Sequence, residues 1–310
     1  PNIVFDDTRR EIDIFYNYFQ LGEQYPKAIE LIWDMTDVSG GSMQAAIEAT
    51  FLTASARSAE QQKKASLLRE SERRSTQTDV RDFDAEFSAE RMRRYKETLE
   101  SLPAQKAAQF LLARHQGFVL GEGHKDTGSK AFLEKTMRTL GEMGVETLFI
   151  EHVREEYQDL LDDWHRKRQQ SKAPEPLARM ANKVSDDFGL PSDVTNVLTL
   201  LHAAHDAGIR VVGIDSLAAL YEDSDERGRE LRAFVMNVFG ESVIRKQSGR
   251  GKFVILTGQA HATAHSGKSR FKVDALPGFA EMLKIPATTY DEKSDQLVLD
   301  VGQLRSKKHD

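Results

Sequence analysis

QGFVLGEGHKDT, residues 116–127, is the stretch on which the fold of this chain turns. Phe118, Val119 and Leu120 form a short apolar run, Gly121-Glu122-Gly123-His124 breaks it, and a helical period resumes near Ala131. Strand, glycine-containing loop and helix follow in that order. In an open α/β sheet a ligand sits outside the carboxyl ends of the strands, where this loop falls. Glu122 and His124 both have the chemistry for proton transfer or metal binding. KFVILTGQAH, residues 252–261, repeats the design with an apolar run, Gly258 and then His261. Two strand ends that each deliver a histidine make a stronger case for a site than either does alone.

The same grammar recurs around these two stretches. Apolar runs at 116–120, 147–150, 210–214 and 252–256 alternate with helical periods at 130–141, 153–170, 191–207 and 226–246. The runs lack a clean in–out alternation, as strands covered on both faces should. Gly144 and Gly208 stand where helix gives way to strand, the place of a C-terminal stop. The pattern predicts an α/β fold with a mainly parallel central sheet flanked by helices. Ser171 to Pro191 reads as a polar, proline-containing surface excursion. ATTYD (287–291) and QLVLDV (296–301) read as edge strands, and the terminal SKKHD as disordered.

Ahead of residue 115 the periods are all helical. They run over 25–35, 43–56, the charged 57–74, 85–102 with Asp84 or Ser88 as cap, and 104–114. The expected organisation is an all-helical N-terminal extension, residues 1–114, followed by an α/β domain, residues 115–310. Phe15, Tyr16, Tyr18 and Phe19 give the extension a ring-bearing face that packs on a neighbour or, if exposed, meets a partner.

Composition narrows the chemistry. The 310 residues have a formal net charge of -6, so no basic footprint points to nucleic acid. There is no cysteine, which excludes thiol catalysis, disulfides and thiolate metal sites. Any metal must use histidine, carboxylate or backbone oxygen. No signal pattern and no apolar run of about 18 residues is present, which predicts a soluble chain without a transmembrane segment.

Several residues compete for a chemical role. Glu151 directly follows apolar residues in TLFIEHV and is expected to emerge at the same sheet edge as the first loop. Glu122 and Glu151 would then pair around a water or metal with His124 beside them, and neighbouring carboxylates raise one pKa. Helix capping, or a salt bridge from Glu151 to Arg154, is the bland alternative. His152 is expected to face the opposite side. Asp215, after RVVGI, reads as an N-cap for helix 217–221 or as a support for the site. His265 stands four residues after His261, but HxxxH lacks the intervening acid of a metalloprotease. His202 and His205, late in a helix, read as structural or solvent-facing. Arg227, Arg229 and Arg232 belong to a solvated helix face that could turn one arginine toward an anion. Asp126 stands where a dinucleotide fingerprint needs its third glycine, and no phosphate-binding loop or GxSxG elbow is present.

GEGH at 121–124, FIEH at 149–152, LTGQAHA at 256–262 and LPGFAEMLKIP at 276–286 resemble the superfamily of erythromycin esterases, haem-binding uptake lipoproteins and Tiki proteins. Modules of that superfamily also occur in bacterial toxins and type III effectors. The resemblance covers about residues 115–301 and implies an α/β core with its cleft at the strand ends. It maps the family's functional positions onto Glu122, His124, Glu151 and His261. On that basis His124 activates water, Glu122 and Glu151 tune it, and His261 stabilises or protonates the departing group in hydrolysis of an ester or amide. The same four residues are the ligand set for a divalent metal if the reaction is metal-dependent. The resemblance also implies a host small molecule or host protein as partner, and secretion by a non-classical or type III route into a host cell, the bacterial cytoplasm being the other location. A non-catalytic effector that recognises a host protein through its helical region is the alternative. A haem-binding protein, with an iron-ligating histidine beside an apolar slot, is another.

Overall fold

The computed structural model describes residues 61–71, 73–74, 87–123, 125–190, 195–216, 226–264 and 277–300. The helices expected before residue 57, the group Phe15, Tyr16, Tyr18 and Phe19, His124, His265 and the SKKHD tail lie outside the described residues. Contacts divide the chain into two units, residues 1–66 and 67–310. In the second unit, α1 (Ala89–Glu100) and α2 (Ala104–Leu112) precede the sheet. Ser88 caps α1, its Oγ accepting from the Arg91 N–H at 3.4 Å. Leu99, Ala104, Ala107, Ala108 and Leu111 are buried in the same apolar core as the strands. The division expected at residues 114 and 115 therefore falls inside this unit.

The rest of the unit alternates strand and helix. In order come β1 (Gly117–Glu122), α3 (Gly128–Glu142), β2 (Val145–Arg154), α4 (Gln158–Arg166), α5 (Glu175–Asp187), α6 (Val197–Ala207) and β3 (Arg210–Asp215). Then follow α7 (Glu226–Gln247), β4 (Lys252–Gly258), α8 (Gln259–Ala262), α9 (Phe279–Leu283), β5 (Ala287–Asp291) and β6 (Gln296–Leu299). The strands form one sheet in the order β3-β2-β4-β1-β5-β6, parallel throughout except for the β5/β6 pair. Every residue of β1 is buried, and so is every residue of β4 except Lys252, as expected for strands covered on both faces. Gly144 and Gly208 have φ of 87° and 74°, the left-handed stops expected after α3 and α6.

Two sequence expectations need correction. The stretch expected as a surface excursion contains α5, which opens with a proline in its first turn and buries Leu177, Met180 and Ala181. Those three follow one helical stripe, while the many polar residues between them occupy the outer face. The second strand is also longer than its apolar run, and the helix expected over 153–170 shortens to α4. The register explains the strand: Ile150 lies opposite Gly213, yet Arg154 lies opposite Asp215. β2 therefore advances four residues against two on β3, an irregularity that bends the strand where Glu151 and His152 sit.

The connections place a crevice at the centre. β1 leads into α3, and β2 leads by way of α4 into α5 and α6; α6 packs on both α3 and α5. β4 lies between β1 and β2 but leads into α8 and α9, which pack with α7. Neighbouring strands whose exits diverge make a topological switch point, the usual ligand site of such sheets.

Gly213 makes the β2 irregularity fit, because a Cβ there would lie 2.5 Å from the carbonyl oxygen of Val153. A backbone atom cannot swing away as a side chain can. Gly213→Ala is expected to destabilise the protein by about 1–3 kcal/mol through overpacking, read as a lowered denaturation midpoint. A midpoint equal to that of the unmodified protein would mean that β2 and β3 are not in this close contact.

Candidate active site

β1 and β4 end side by side, and β2 runs past the end of β4. Glu122 closes β1 opposite Gly258, which closes β4, and Ile150 of β2 lies opposite Leu256. Glu151 therefore falls one residue further along β2, beside the end of β4. Gly121 permits α8 to lie over β1, since its added Cβ would be 3.2 Å from that of Ala262. The first glycine of GEGH thus has a packing reason, and α8 carries His261.

One cluster is closed to solvent. Glu122 Oε1 accepts from Lys130 Nζ at 2.5 Å, with both side chains 0% exposed. His152 Nε2 lies 2.8 Å from the same oxygen, and its ring meets Phe188 edge-on. Lys130 comes from the first turn of α3 and also donates to the carbonyl of Asp126 at 3.3 Å. A cation there opposes the helix dipole, so Glu122 is what makes it tolerable. The other carboxylate oxygen of Glu122, Oε2, is buried without a hydrogen-bond partner among the described residues.

The second cluster is open. Glu151 Oε2 accepts from Thr257 Oγ1 and from the Gly258 N–H, each at 2.6 Å. Its Oε1 lies 3.4 Å from Nε2 of His261, and the two side chains are 13% and 12% exposed. The Nδ1 side of that imidazole meets Asn237 of α7 at 2.8 Å. Asp215, at the end of β3, accepts from the Ser216 N–H at 2.8 Å. Burial pushes its carboxyl up to about 6, and the charge of Glu151 adds to the rise. The Ser216 N–H, then Arg232 and His261, act in the opposite direction.

The sequence-derived candidates are therefore distributed as follows. Glu151 and His261 come together. Glu122 meets Lys130 and His152. His124 lies outside the described residues. His152, ranked low in the sequence, touches Glu122, and Asp215 combines a local turn bond with a charge coupling to Glu151. Arg232 is the arginine whose charge reaches an anion. His205 is structural: it is buried and stacks on Trp164 at 4.3 Å, with His202 edge-on to the same ring. Lys130, Asn237 and Thr257 escaped the sequence reading. A lysine in a helix's first turn was the one available signal, whereas Asn237 is indistinguishable from a solvated helix residue without its partners. Among the described residues, no group of three or more His, Asp or Glu side chains is arranged to hold a metal ion. No helix among them is long and apolar enough to cross a membrane.

No protein-family model matches the chain. A 220-residue stretch, 69% of the chain, is 28% identical to the multifunctional-autoprocessing repeats-in-toxin protein of Vibrio vulnificus and covers 4% of it. Among solved structures, RRSP, a MARTX toxin effector domain from Vibrio vulnificus, superposes with a TM-score of 0.66 at 23% identity, over 80% of this chain and 48% of that one. A structure of bacterial protein toxins gives a TM-score of 0.59 at 25% identity, over 74% and 46%. The C-terminal region of Pasteurella multocida toxin gives 0.59 at 19%, over 77% and 31%. The chain thus spans less than half the length of each of these relatives. Its fold is that of bacterial toxin effector domains, and a buried network of glutamate, histidine and lysine lies at the strand ends. These relatives are toxin domains, and none of them is an erythromycin esterase, a haem-uptake lipoprotein or a Tiki protein.

Removing one partner of a fully buried ion pair strands the other. Lys130→Met is expected to cost about 3–5 kcal/mol of stability, and adding Glu122→Gln is expected to restore most of it. A denaturation double-mutant cycle without coupling would rule the pair out. Asp215 has a folded-state pKa above its unfolded value, so the native state holds the proton more tightly. Stability from this group is full below the unfolded pKa, near 3.8, and is lost as pH rises through about 6. Asp215→Asn should therefore flatten the fall in stability across that window, measured as the difference between the two proteins' denaturation curves. Parallel curves would contradict the shift.

Proposed function

We propose that this chain is a bacterial toxin effector module that hydrolyses an ester or amide bond in a host molecule. His261 and Glu151 form its proton-transfer pair, and Glu122 stands at the end of the neighbouring strand β1. The observation that supports it most is the Nε2–Oε1 approach of 3.4 Å between two partly exposed side chains at the switch point of the sheet. An imidazole beside a held carboxylate takes a proton from water and returns it to a leaving group, with the carboxylate stabilising the imidazolium between the two steps. Thr257 and Gly258 hold Glu151 in place by donating to its other oxygen. His124, two residues after Glu122 in the sequence, is assigned the positioning of that water.

A divalent cation is the weaker version of this proposal. Lys130 already supplies the positive charge at Glu122, so no step here is routed through a metal. Nor can the thiol-protease-like triad described for the Pasteurella toxin region serve as a template, because these 310 residues contain no cysteine. The toxin relatives support delivery into a host cell; the proposal adds a type III or other non-classical route and a host protein or small molecule as substrate.

The test is expression of the chain in cultured eukaryotic cells at graded doses. His261→Ala, Glu151→Gln and His124→Ala are each compared with the unmodified protein, and folding is checked by circular dichroism. Loss of a general acid or base should lower potency by about 100-fold or more. Full potency in folded His261→Ala would sink the hydrolase proposal and shift the activity to residues 1–114.

A further inference from the structure

Asn237 is 0% exposed on α7, in a position where an apolar side chain would pack as well. Its amide bridges two segments instead. Nδ2 donates to the carbonyl oxygen of Pro277 at 3.0 Å, and Oδ1 lies 2.8 Å from Nδ1 of His261. Pro277 is brought there by a close contact: a Cβ on Gly278 would lie 2.5 Å from the backbone nitrogen of Thr263, two residues after His261. The carbonyl that orients Asn237 is thus packed against the segment that carries the histidine.

A carbonyl oxygen only accepts, so this amide cannot be turned over. Flipping it would set Oδ1 against the Pro277 oxygen, acceptor against acceptor, in a site closed to water. With Oδ1 facing the ring, Nδ1 of His261 must be the donor. Nε2, 3.4 Å from Glu151 Oε1, is then the nitrogen whose proton exchanges: it is shared with the carboxylate when present and leaves a lone pair when released. We propose that Asn237 is a positioning residue that holds His261 as the Nδ1–H tautomer and so reserves Nε2 for accepting and returning a proton. The consequence for catalysis rests on the hydrolase proposal above, but the tautomer belongs to the resting protein and is measured without substrate.

The experiment is long-range nitrogen–proton NMR on protein labelled with nitrogen-15 histidine, with the His261 signals identified by their loss in His261→Gln. The unmodified protein should show the proton on Nδ1. Asn237→Asp retains an acceptor facing Nδ1 and should keep that tautomer, whereas Asn237→Leu removes it and should move the population toward Nε2–H. In the cell assay Asn237→Leu should lose about 100-fold in potency, the scale of one acid–base group, and Asn237→Asp should lose less. A proton on Nε2 with none on Nδ1 in the unmodified protein, or one still held on Nδ1 in folded Asn237→Leu, would overturn the inference. If Asn237→Leu does not fold, the spectrum of the unmodified protein decides alone. The two proposals fail differently: an Nε2–H histidine on which potency still depends defeats the positioning role. An Nδ1–H histidine that can be replaced without loss defeats the hydrolase.

Discussion

Glu122 and Lys130 form an ion pair from which water is wholly excluded, and the strand ends are arranged around it. Charges of this kind are expensive to bury, and an apolar pair of similar volume would usually hold the same elements together as well or better. Its retention ties the end of β1 to the first turn of α3 and, through His152, reaches across β4 to β2. The pair thus fixes the spacing of the three strands whose ends form the crevice. With Oε1 committed to Lys130 and His152, Glu122 is a rigid, charge-balanced wall.

Glu151 stands in contrast. It lies in the irregular part of β2, where four residues on that strand span two on β3. The bend separates consecutive residues by function: His152 joins the buried cluster, and Glu151 joins the partly exposed His261. Glycines at two positions allow this geometry. Gly213 accepts the carbonyl of Val153, and Gly121 lets α8 approach β1 closely enough to deliver the histidine. Substitutions there would act on the site without touching any titratable group.

Similarity to toxin effector domains covers most of this chain and only a minor part of each relative. One fold serves many reactions, so that similarity alone cannot name a substrate. The chain's own side chains add three features: no thiol anywhere in the sequence, a lysine paired with Glu122, and an asparagine hydrogen-bonded to His261. These features favour chemistry at an imidazole–carboxylate pair over thiol or ion-centred alternatives.

The alternation of apolar runs and helical periods was enough to give the α/β class, the parallel strands and the glycine stops after α3 and α6. Each of those depends on spacing within about twenty residues. The motif around Glu122 likewise placed it at a strand end, whereas Glu151 lies inside the lengthened β2 and His261 on the helix that follows β4. Which of them would touch was not legible. Glu122 meets Lys130 eight residues on and His152 thirty away, and His261 meets Asn237 across a crossover. Local pattern likewise concealed α5, whose buried stripe is sparse among polar residues, and the bend in β2, which exists only in register with β3. Sequence determined the elements and the edge at which the chemistry gathers. Tertiary structure decided the partners, since burial and pairing of charge are properties of residues far apart in the chain.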